Sequence, residues 1–517
     1  MFSSLRGSVI AGTSRVSISR YSTTIQAKKK LVILGSGWAG YNLARRVDKS
    51  LYDVTLVSPV SYFSFTPFLA STSVGTLEFR CATEPVRGIK GLEYAQGWAD
   101  SIDFERRELR IESSVTPPHA ELAAMVARSH PNHPGHPSIH SPASGQNIHM
   151  DTMIPVSSRH RAQQRGMATV VGDHDPADHV LLPPRFYTLP YDKLVISVGC
   201  YSASFGIPGV KKHAHFLKDI RDARKIRRRL LECLEQASEP TCSPELRRAL
   251  LSFKIVGGGP TGVEWAAELH DFVHRDVYRL YPHLKDQVRI TLYDVAPGIL
   301  INFDASLRAY AEKKFHRDGV TIRPNSSITA MGEDWVELDG KERHPYGLLV
   351  WSTGLCPNPF IASLPVKKHE RSRAILVDKW QRVVNTEGQR LKGVFAIGDN
   401  ATPADGPPLP ATAQVATQQA KWLAKALNAH GRGQTLESQP GFEWKNWGSM
   451  VYVGNSRALV DRSREDVAGP KSRMAGWAAW ILWRSYYAQL AMGWRNKVLV
   501  PIHWTLASFF GRDITRF

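Results

Sequence analysis

The sequence predicts an α/β fold made of two nucleotide-binding units and an amphipathic helical tail, and three observations predict it. Two glycine-rich loops, Leu31–Gly40 and Phe253–Gly262, lie about 220 residues apart, each with an apolar strand-like run before it and a helix-forming stretch after it. A third element, Ala396-Ile397-Gly398-Asp399-Asn400, follows the second loop. The tail from Met474 concentrates five of the fourteen tryptophans between basic residues. Two such loops in register with a third element describe a chain that holds two dinucleotides face to face.

The chain begins with a basic, Ser-rich stretch whose first acidic residue is Asp48. Arg6, Arg15, Arg20 and Lys28 to Lys30 precede it, with no uninterrupted apolar core. That composition predicts a mitochondrial transit peptide over 1–29. The first unit then opens with the strand and loop carrying Gly35, Gly37 and Gly40. Glycine there permits a tight turn and close approach of the backbone to a pyrophosphate, which the helix N-terminus attracts. A helix over Tyr41–Lys49 and a second strand over Tyr52–Ser58 follow. Ser58 stands where an acidic ribose ligand is common. Tyr94–Ile111 alternates as a β-meander.

Residues 115–185 break the pattern. They are Pro-rich and hold nine of the nineteen histidines, among them His130, His133, His136 and His140. Carboxylate and Cys partners are missing from that spacing, so a disordered insertion is expected and no metal site. Order resumes at the apolar run Tyr191–Gly199, and a charged helix over Ile220–Ala237 leads to the second loop. There Gly257, Gly259, Pro260 and Gly262 repeat the first design. Strands over Val288–Asp294 and Leu348–Gly354 complete the second unit, and the chain returns to the first at Gly393–Asn400. The expected organisation is a flavin-binding unit over 30–219 and 371–440, a nicotinamide-nucleotide unit over 250–370 inserted in it, and a C-terminal membrane-anchoring or dimerisation region over 441–517.

Composition narrows the function. A formal net charge of +19 favours anionic partners, but no zinc-finger, RRM or KH pattern accompanies it, so no nucleic-acid partner is expected. The five cysteines, Cys81, Cys200, Cys233, Cys242 and Cys356, show no CxxC or CxxxxC spacing, which disfavours a local dithiol beside the first loop. In the tail, the uncharged stretches 474–483, 485–494 and 498–511 fall short of the ~20 residues that span a bilayer. Arg484, Arg495, Lys497, Arg512 and Arg516 punctuate its apolar faces, a pattern suited to the headgroup boundary.

Several side chains carry candidate chemistry. Asp294 ends its strand where a carboxylate can accept from both ribose hydroxyls and repel a 2′-phosphate, favouring NADH over NADPH. Glu264, in the first turn after Gly262, either faces the nicotinamide or serves the helix dipole. Asp399 beside Gly398 suits the ribityl chain of a flavin. Leu409–Gln414 reads as a helix start whose N–H groups favour negative charge on a reduced flavin.

Taken together, Gly35-Ser36-Gly37-Trp38, Ser61-Tyr62-Phe63-Ser64-Phe65-Thr66-Pro67, Gly257–Glu264, Phe395–Asn400, Ala413-Gln414-Val415-Ala416 and Gly448–Gly454 resemble the type II (alternative, rotenone-insensitive) NADH:ubiquinone oxidoreductases, most closely the fungal mitochondrial ones. The resemblance spans most of 30–517 outside the insertion. It implies a flavoprotein disulfide reductase-like fold, one non-covalent FAD, NADH as donor, ubiquinone as acceptor and no proton pumping. It assigns FAD contacts to Gly35, Gly37, Trp38, Gly40, Thr66, Gly199, Asp399 and Gln414, and NAD contacts to the second loop with Glu264, Asp294 and Gly354. Glu264 and Gln414 are placed at the reaction as positioning groups. Gln414 and Thr417 face the quinone, Thr417 standing where members often carry His. A homodimer at the inner mitochondrial membrane surface is expected. Two alternatives stay open: a sulfide:quinone oxidoreductase using Cys200 and Cys356, and a flavoprotein whose basic surface binds DNA.

Overall fold

A computed structural model of the chain describes residues 28–115, 185–491 and 493–515. The transit-peptide expectation, apart from its last two residues, and nearly all of the His-rich insertion lie outside them.

The chain starts with β1 (Lys29–Leu34), α1 (Trp38–Arg46) and β2 (Tyr52–Ser58). Strands β3 (Leu92–Asp103), β4 (Glu108–Ser113) and β5 (Phe186–Pro190) form the antiparallel meander, and β6 (Lys193–Ile196) returns beside β1. The β1–β2 and β1–β6 pairs are parallel, Leu31 facing Val54 and Lys193. Both faces of β1 are covered, which is why Leu31–Leu34 reads as an unbroken apolar run.

Next come β7 (Cys200–Ser202), the two-residue β8 (His215–Phe216) and α2 (Ile220–Ser238), whose N-terminus carries a reciprocal capping box between Asp219 and Asp222. Strand β9 (Ser252–Val256), α3 (Pro260–Phe272), β10 (Arg289–Tyr293), β11 (Thr321–Arg323) and β12 (Leu348–Trp351) build a second parallel sheet ordered β8-β12-β9-β10-β11. This sheet therefore reaches back to residue 215, ahead of the boundary at 250. A two-residue edge strand offers no periodicity to read.

After β13 (Leu355–Pro357), which pairs antiparallel with β7, the chain re-enters the first unit through β14 (Ile375–Val377), β15 (Arg382–Val384), β16 (Arg390–Ala396), β17 (Ala401–Pro403) and α4 (Ala413–Gly431). The first sheet then has ten strands in the order β17-β14-β15-β16-β6-β1-β2-β3-β4-β5. A three-stranded antiparallel sheet, β18 (Ser449–Gly454), β19 (Arg457–Asp461) and β20 (Arg473–Gly476), leads into α5 (Trp477–Leu490) and α6 (Trp494–Phe510).

The tail helices bury Ala479, Trp483, Val500 and Trp504 against the body. Outward, α5 shows Trp477, Ile481, Leu482, Tyr486 and Leu490, and α6 shows Trp494, Val498, Ile502, Leu506, Phe509 and Phe510. Trp494 is 82% exposed and Phe509 81%. Most of these positions step by three to five residues, so each helix presents one continuous apolar stripe. No described helix is long and apolar enough to cross a membrane.

Candidate functional site

The two glycine loops are built the same way. Gly35 and Gly257 take positive φ of 100° and 114°, and their amides donate to Val57 and Tyr293 carbonyls at 2.8 Å. The chain thereby turns off each central strand without losing a hydrogen bond. A Cβ on Gly40 would collide with the Gly35 carbonyl and Ser197 Oγ, and one on Gly262 with the Gly257 carbonyl and Ser352 Oγ. Only glycine lets each helix seat that closely. The middle glycines differ in purpose. Gly37 and Gly259 are the N-caps of α1 and α3, neither helix has a side-chain cap, and a Cβ on either would meet nothing within 4 Å. Each loop thus aims uncapped helix N–H groups into open space, the donor set a pyrophosphate requires. Pro260 sits at the first position of α3, where its missing N–H costs nothing.

Around the first loop, Trp38 packs edge-on against Phe63 at 5.1 Å and donates its indole N–H to Thr66 Oγ1 at 3.0 Å. Trp38 therefore braces the Tyr62–Thr66 segment, and Thr66 keeps its own O–H for a ligand. Ser58 is buried and shares a 2.9 Å hydrogen bond with Ser36 Oγ. Gly199 (φ 68°) also faces open space, and its amide donates to Asn400 Oδ1 at 2.9 Å while Asn400 Nδ2 donates to the Ile196 carbonyl. Asn400 is thus a clip between β6 and the Gly398 turn. The first turns of α1 and α4 converge there, since a Cβ on Gly398 would lie 3.1 Å from that of Ala39. At the start of α4, Thr412 Oγ1 takes the Val415 N–H at 3.3 Å, so part of the expected N–H array is already satisfied.

Asp399 has two neighbours that sequence reasoning did not assign. Cys200 Sγ donates to Asp399 Oδ2 at 3.2 Å, and Lys218 Nζ lies 3.2 Å from Sγ and 4.0 Å from Oδ2. Burial pushes the Cys200 thiol up to about 12, although Lys218 works against it. The group is a thiol donor here, not a thiolate. Cys200 and Cys356 pair with Pro357 and Tyr201, consecutive positions of one antiparallel ribbon, so their side chains project to opposite faces.

In the second unit Asp294 lies just past β10. Its Oδ2 accepts from the Gly258 amide at 2.5 Å and its Oδ1 from Ala296 at 2.7 Å, which fixes the carboxylate at the loop. Gly354 (φ 48°) packs its backbone against the Phe205 ring, so its immediate neighbour is a side chain of the β7 loop.

Glu264 lies half-buried in the second turn of α3, past the first turn where the sequence placed it, and is held by partners distant in sequence. Its Oε1 accepts from the Tyr452 amide at 3.2 Å and from Trp483 Nε1 at 3.3 Å. Burial pushes its carboxyl up to about 8; the two hydrogen bonds offset part of that, and Glu268 adds to it. The group holds a proton at neutral pH. Of its two partners, Tyr452 fell inside a quoted motif, and Trp483 was visible only as one tryptophan of the tail.

Gln414 spends its amide on the Trp447–Gly448 segment: Oε1 accepts from the Trp447 N–H at 3.0 Å and Nε2 donates to the Gly448 carbonyl at 3.4 Å. Thr417 lies one turn further along α4, half-buried. Among the described residues no group of three His, Cys, Asp or Glu is arranged to hold a metal. The His-rich segment lies outside them.

Comparison with known proteins agrees with this geometry. Residues 29–420 match the family model described as pyridine nucleotide-disulphide oxidoreductase, and residues 446–513 match the NDH2 C-terminal domain. An internal alternative NAD(P)H-ubiquinone oxidoreductase of Solanum tuberosum, a mitochondrial protein, is 36% identical over 96% of this chain and 89% of its own length. An external alternative NADH-ubiquinone oxidoreductase of Yarrowia lipolytica is 31% identical over 95% of this chain and 81% of its own. With a plant relative at the higher figure, the likeness does not single out the fungal members. The NDH2 structure of Plasmodium falciparum in complex with NADH superposes with a TM-score of 0.76 at 23% identity, covering 95% of this chain and 100% of that one, a likeness of fold.

Proposed function

The chain belongs to the pyridine nucleotide-disulphide oxidoreductase family, among the alternative NAD(P)H-ubiquinone oxidoreductases, and from that premise we propose that it oxidises NADH and reduces ubiquinone at the mitochondrial inner membrane, using non-covalent FAD and pumping no protons. The observation that carries the reading is the pair of open, uncapped helix N-termini behind Gly37 and Gly259 in one frame.

The first cradle fits an FAD. Gly35, Gly37 and Gly40 would take its pyrophosphate, Thr66 and Gly199 would border it, and Asp399 would accept from its ribityl hydroxyls. When bound, the flavin supplies a two-electron centre between nicotinamide and quinone. The second cradle, Gly257, Gly259, Pro260 and Gly262, would hold the NADH pyrophosphate, with Asp294 at the adenosine ribose. That carboxylate disfavours a 2′-phosphate, which supports NADH over NADPH.

The protein's own task is orientation and proton supply. Glu264 holds a proton at Oε2, since Oε1 is occupied by two donors. Quinone reduction consumes two protons, and a neutral carboxyl beside the tail helices is placed to supply one. Gln414 keeps the Trp447–Gly448 segment in position, which leaves Thr417 and that segment to border the quinone passage. The apolar stripes of α5 and α6 would lie at the headgroup boundary, against the acyl layer in which quinone dissolves. The first 29 residues would direct import, and the functional unit would be a homodimer.

The sulfide:quinone alternative requires Cys200 and Cys356 to meet, and their ribbon register points them apart. The test is purification of the full chain. The protein should be yellow, NADH should bleach it faster than NADPH, and a short-chain quinone should restore the colour irrespective of rotenone. A colourless protein, or a flavin that NADH leaves oxidised, would refute the proposal.

A further inference from the structure

We propose that the chain carries a second ligand site, for a small phosphate-bearing polyanion, at the ends of α1 and α4 remote from the flavin cradle. A cavity of about 470 Å³ opens there, within the range of ordinary small-ligand sites. Its wall presents Arg46 at the end of α1, Lys421 and Lys425 along α4, and Arg432 at the α4 cap, together with Asn428 and Gln439. No Asp or Glu lines it.

Cations at helix C-termini need little explanation, because the dipole favours them there. That accounts for Arg46 and Arg432. It does not account for Lys421 and Lys425, which lie more than a turn before the end of α4 at Gly431. They are spaced i, i+4, where like charges oppose helix stability, and neither forms an ion pair among the described residues. Arg432 does pair with Asp48, at 2.9 Å on the rim. Arg46 donates to the Asn42 carbonyl at 3.1 Å and to Asn42 Oδ1, and its guanidinium is depressed by burial and by Arg45. Four positive groups thus converge on one concavity with one rim carboxylate between them. Guanidinium and ammonium groups are the donor types that bind phosphate oxygens.

The wall is rigid. Asn428 Nδ2 donates to the Arg46 carbonyl at 3.2 Å, and its Oδ1 accepts from the Asp48 amide at 2.9 Å, tying the two helices at the cavity floor. The site is distinct from the flavin cradle. From Ala416, beside Gly398, to Asn428 is roughly 18 Å of helix. A ligand bridging Arg46 to Lys421 and Lys425 would tether the two helices whose other ends meet at Gly398.

The test is calorimetric titration of the flavin-loaded full chain with sodium pyrophosphate, at constant ionic strength and with NAD⁺ saturating so that the second loop is filled. One saturable site per chain is expected, with Kd below about 1 mM. Lys421→Gln with Lys425→Gln should weaken binding at least tenfold while NADH oxidation is unchanged, and Lys421→Arg with Lys425→Arg should retain binding. Absence of saturable heat, or equal affinity in the Gln double variant, would overturn the site. Citrate binding as tightly as pyrophosphate would overturn the phosphate assignment.

Discussion

Replacing Glu264 by Gln separates proton supply from scaffolding. Glu264→Gln keeps an oxygen for the Tyr452 amide and the Trp483 indole, so the tail contact persists, but the side chain no longer titrates. In the wild type, burial moves the carboxyl from its usual 4.5 to about 8. It is then about nine-tenths protonated at pH 7 and about one-tenth at pH 9. If that proton serves quinone reduction, wild-type kcat with a short-chain quinone should fall about tenfold between those values. The Gln variant should be slower at pH 7 and flat across the range. Stability reads the same group independently. A carboxyl whose folded-state pKa is raised contributes most below 4.5 and loses that contribution as pH climbs to about 8. At that shift the full loss would be on the order of 5 kcal/mol. Glu264→Gln should therefore gain on wild type in denaturant titrations as pH rises from 5 to 8. Superimposable pH–rate profiles for the two proteins, or a wild-type profile flat from pH 7 to 9, would sink the proton-supply reasoning.

Other perturbations test the remaining parts. Gly40→Val drives a side chain into the Gly35 carbonyl and Ser197; the protein should purify without flavin absorbance while retaining its far-UV dichroism. Arg512→Leu removes the guanidinium that reaches Glu268 and Asp276 at 3.5 and 2.8 Å, leaving Asp276 only Arg279 at 3.8 Å as an ion-pair partner, and should cost about 3 kcal/mol in chemical denaturation. Trp494→Ser with Phe509→Ser removes two of the most exposed rings; at about 1.5–3 kcal/mol each, vesicle flotation should drop at least tenfold while soluble-quinone reduction persists. Cys200→Ser with Cys356→Ser should leave NADH oxidation within about twofold, and a loss of activity would revive the sulfide-type chemistry.

Much of the frame was legible because its signals are local. Glycine loops, apolar parallel strands and the Gly398-Asp399 turn each announce themselves within ten residues. The same locality hid the rest. Strand β8 is two residues long and exists because β12 offers it an edge. Lys218 meets Cys200 and Asp399 only after the two units fold together, and no spacing encodes that. Trp38, quoted as a flavin contact, has its indole N–H committed to Thr66, and Gln414 has its amide committed to the Trp447–Gly448 segment. A motif names the residue; its partner decides what the side chain is free to do. Glu264 was poised between nicotinamide and helix dipole, and what sets its state is burial among partners distant in sequence, Trp483 lying 219 residues away.

That distant contact belongs to a larger pattern on α3. Glu264, Glu268 and Asp271 fall at i, i+4 and i+7, a stripe of three carboxyls on one face of one helix. Unrelieved, such a stripe would weaken the helix and resist burial. Each member is relieved differently, and mostly by the C-terminal region. Glu264 is neutralised by its raised pKa and held by Tyr452 and Trp483. Glu268 accepts from Ser71 and Thr76 at 2.7 Å each and meets the Arg512 guanidinium. Asp271 would rise with burial, but hydrogen bonds from His270, Tyr452 and Asn455 outweigh that and hold it below the usual carboxylate range. Without strands β18–β19, α5 and the Arg512 segment, Glu268 would lose the Arg512 guanidinium and Asp271 its hydrogen bonds from Tyr452 and Asn455. The C-terminal tail and α3 are therefore one electrostatic unit. Displacing the tail should unsettle Glu264 together with Glu268 and Asp271, so Arg512→Leu should shift the midpoint of the pH–rate profile as well as lower stability. An Arg512→Leu enzyme of reduced stability with an unmoved midpoint would show that tail and site are merely adjacent.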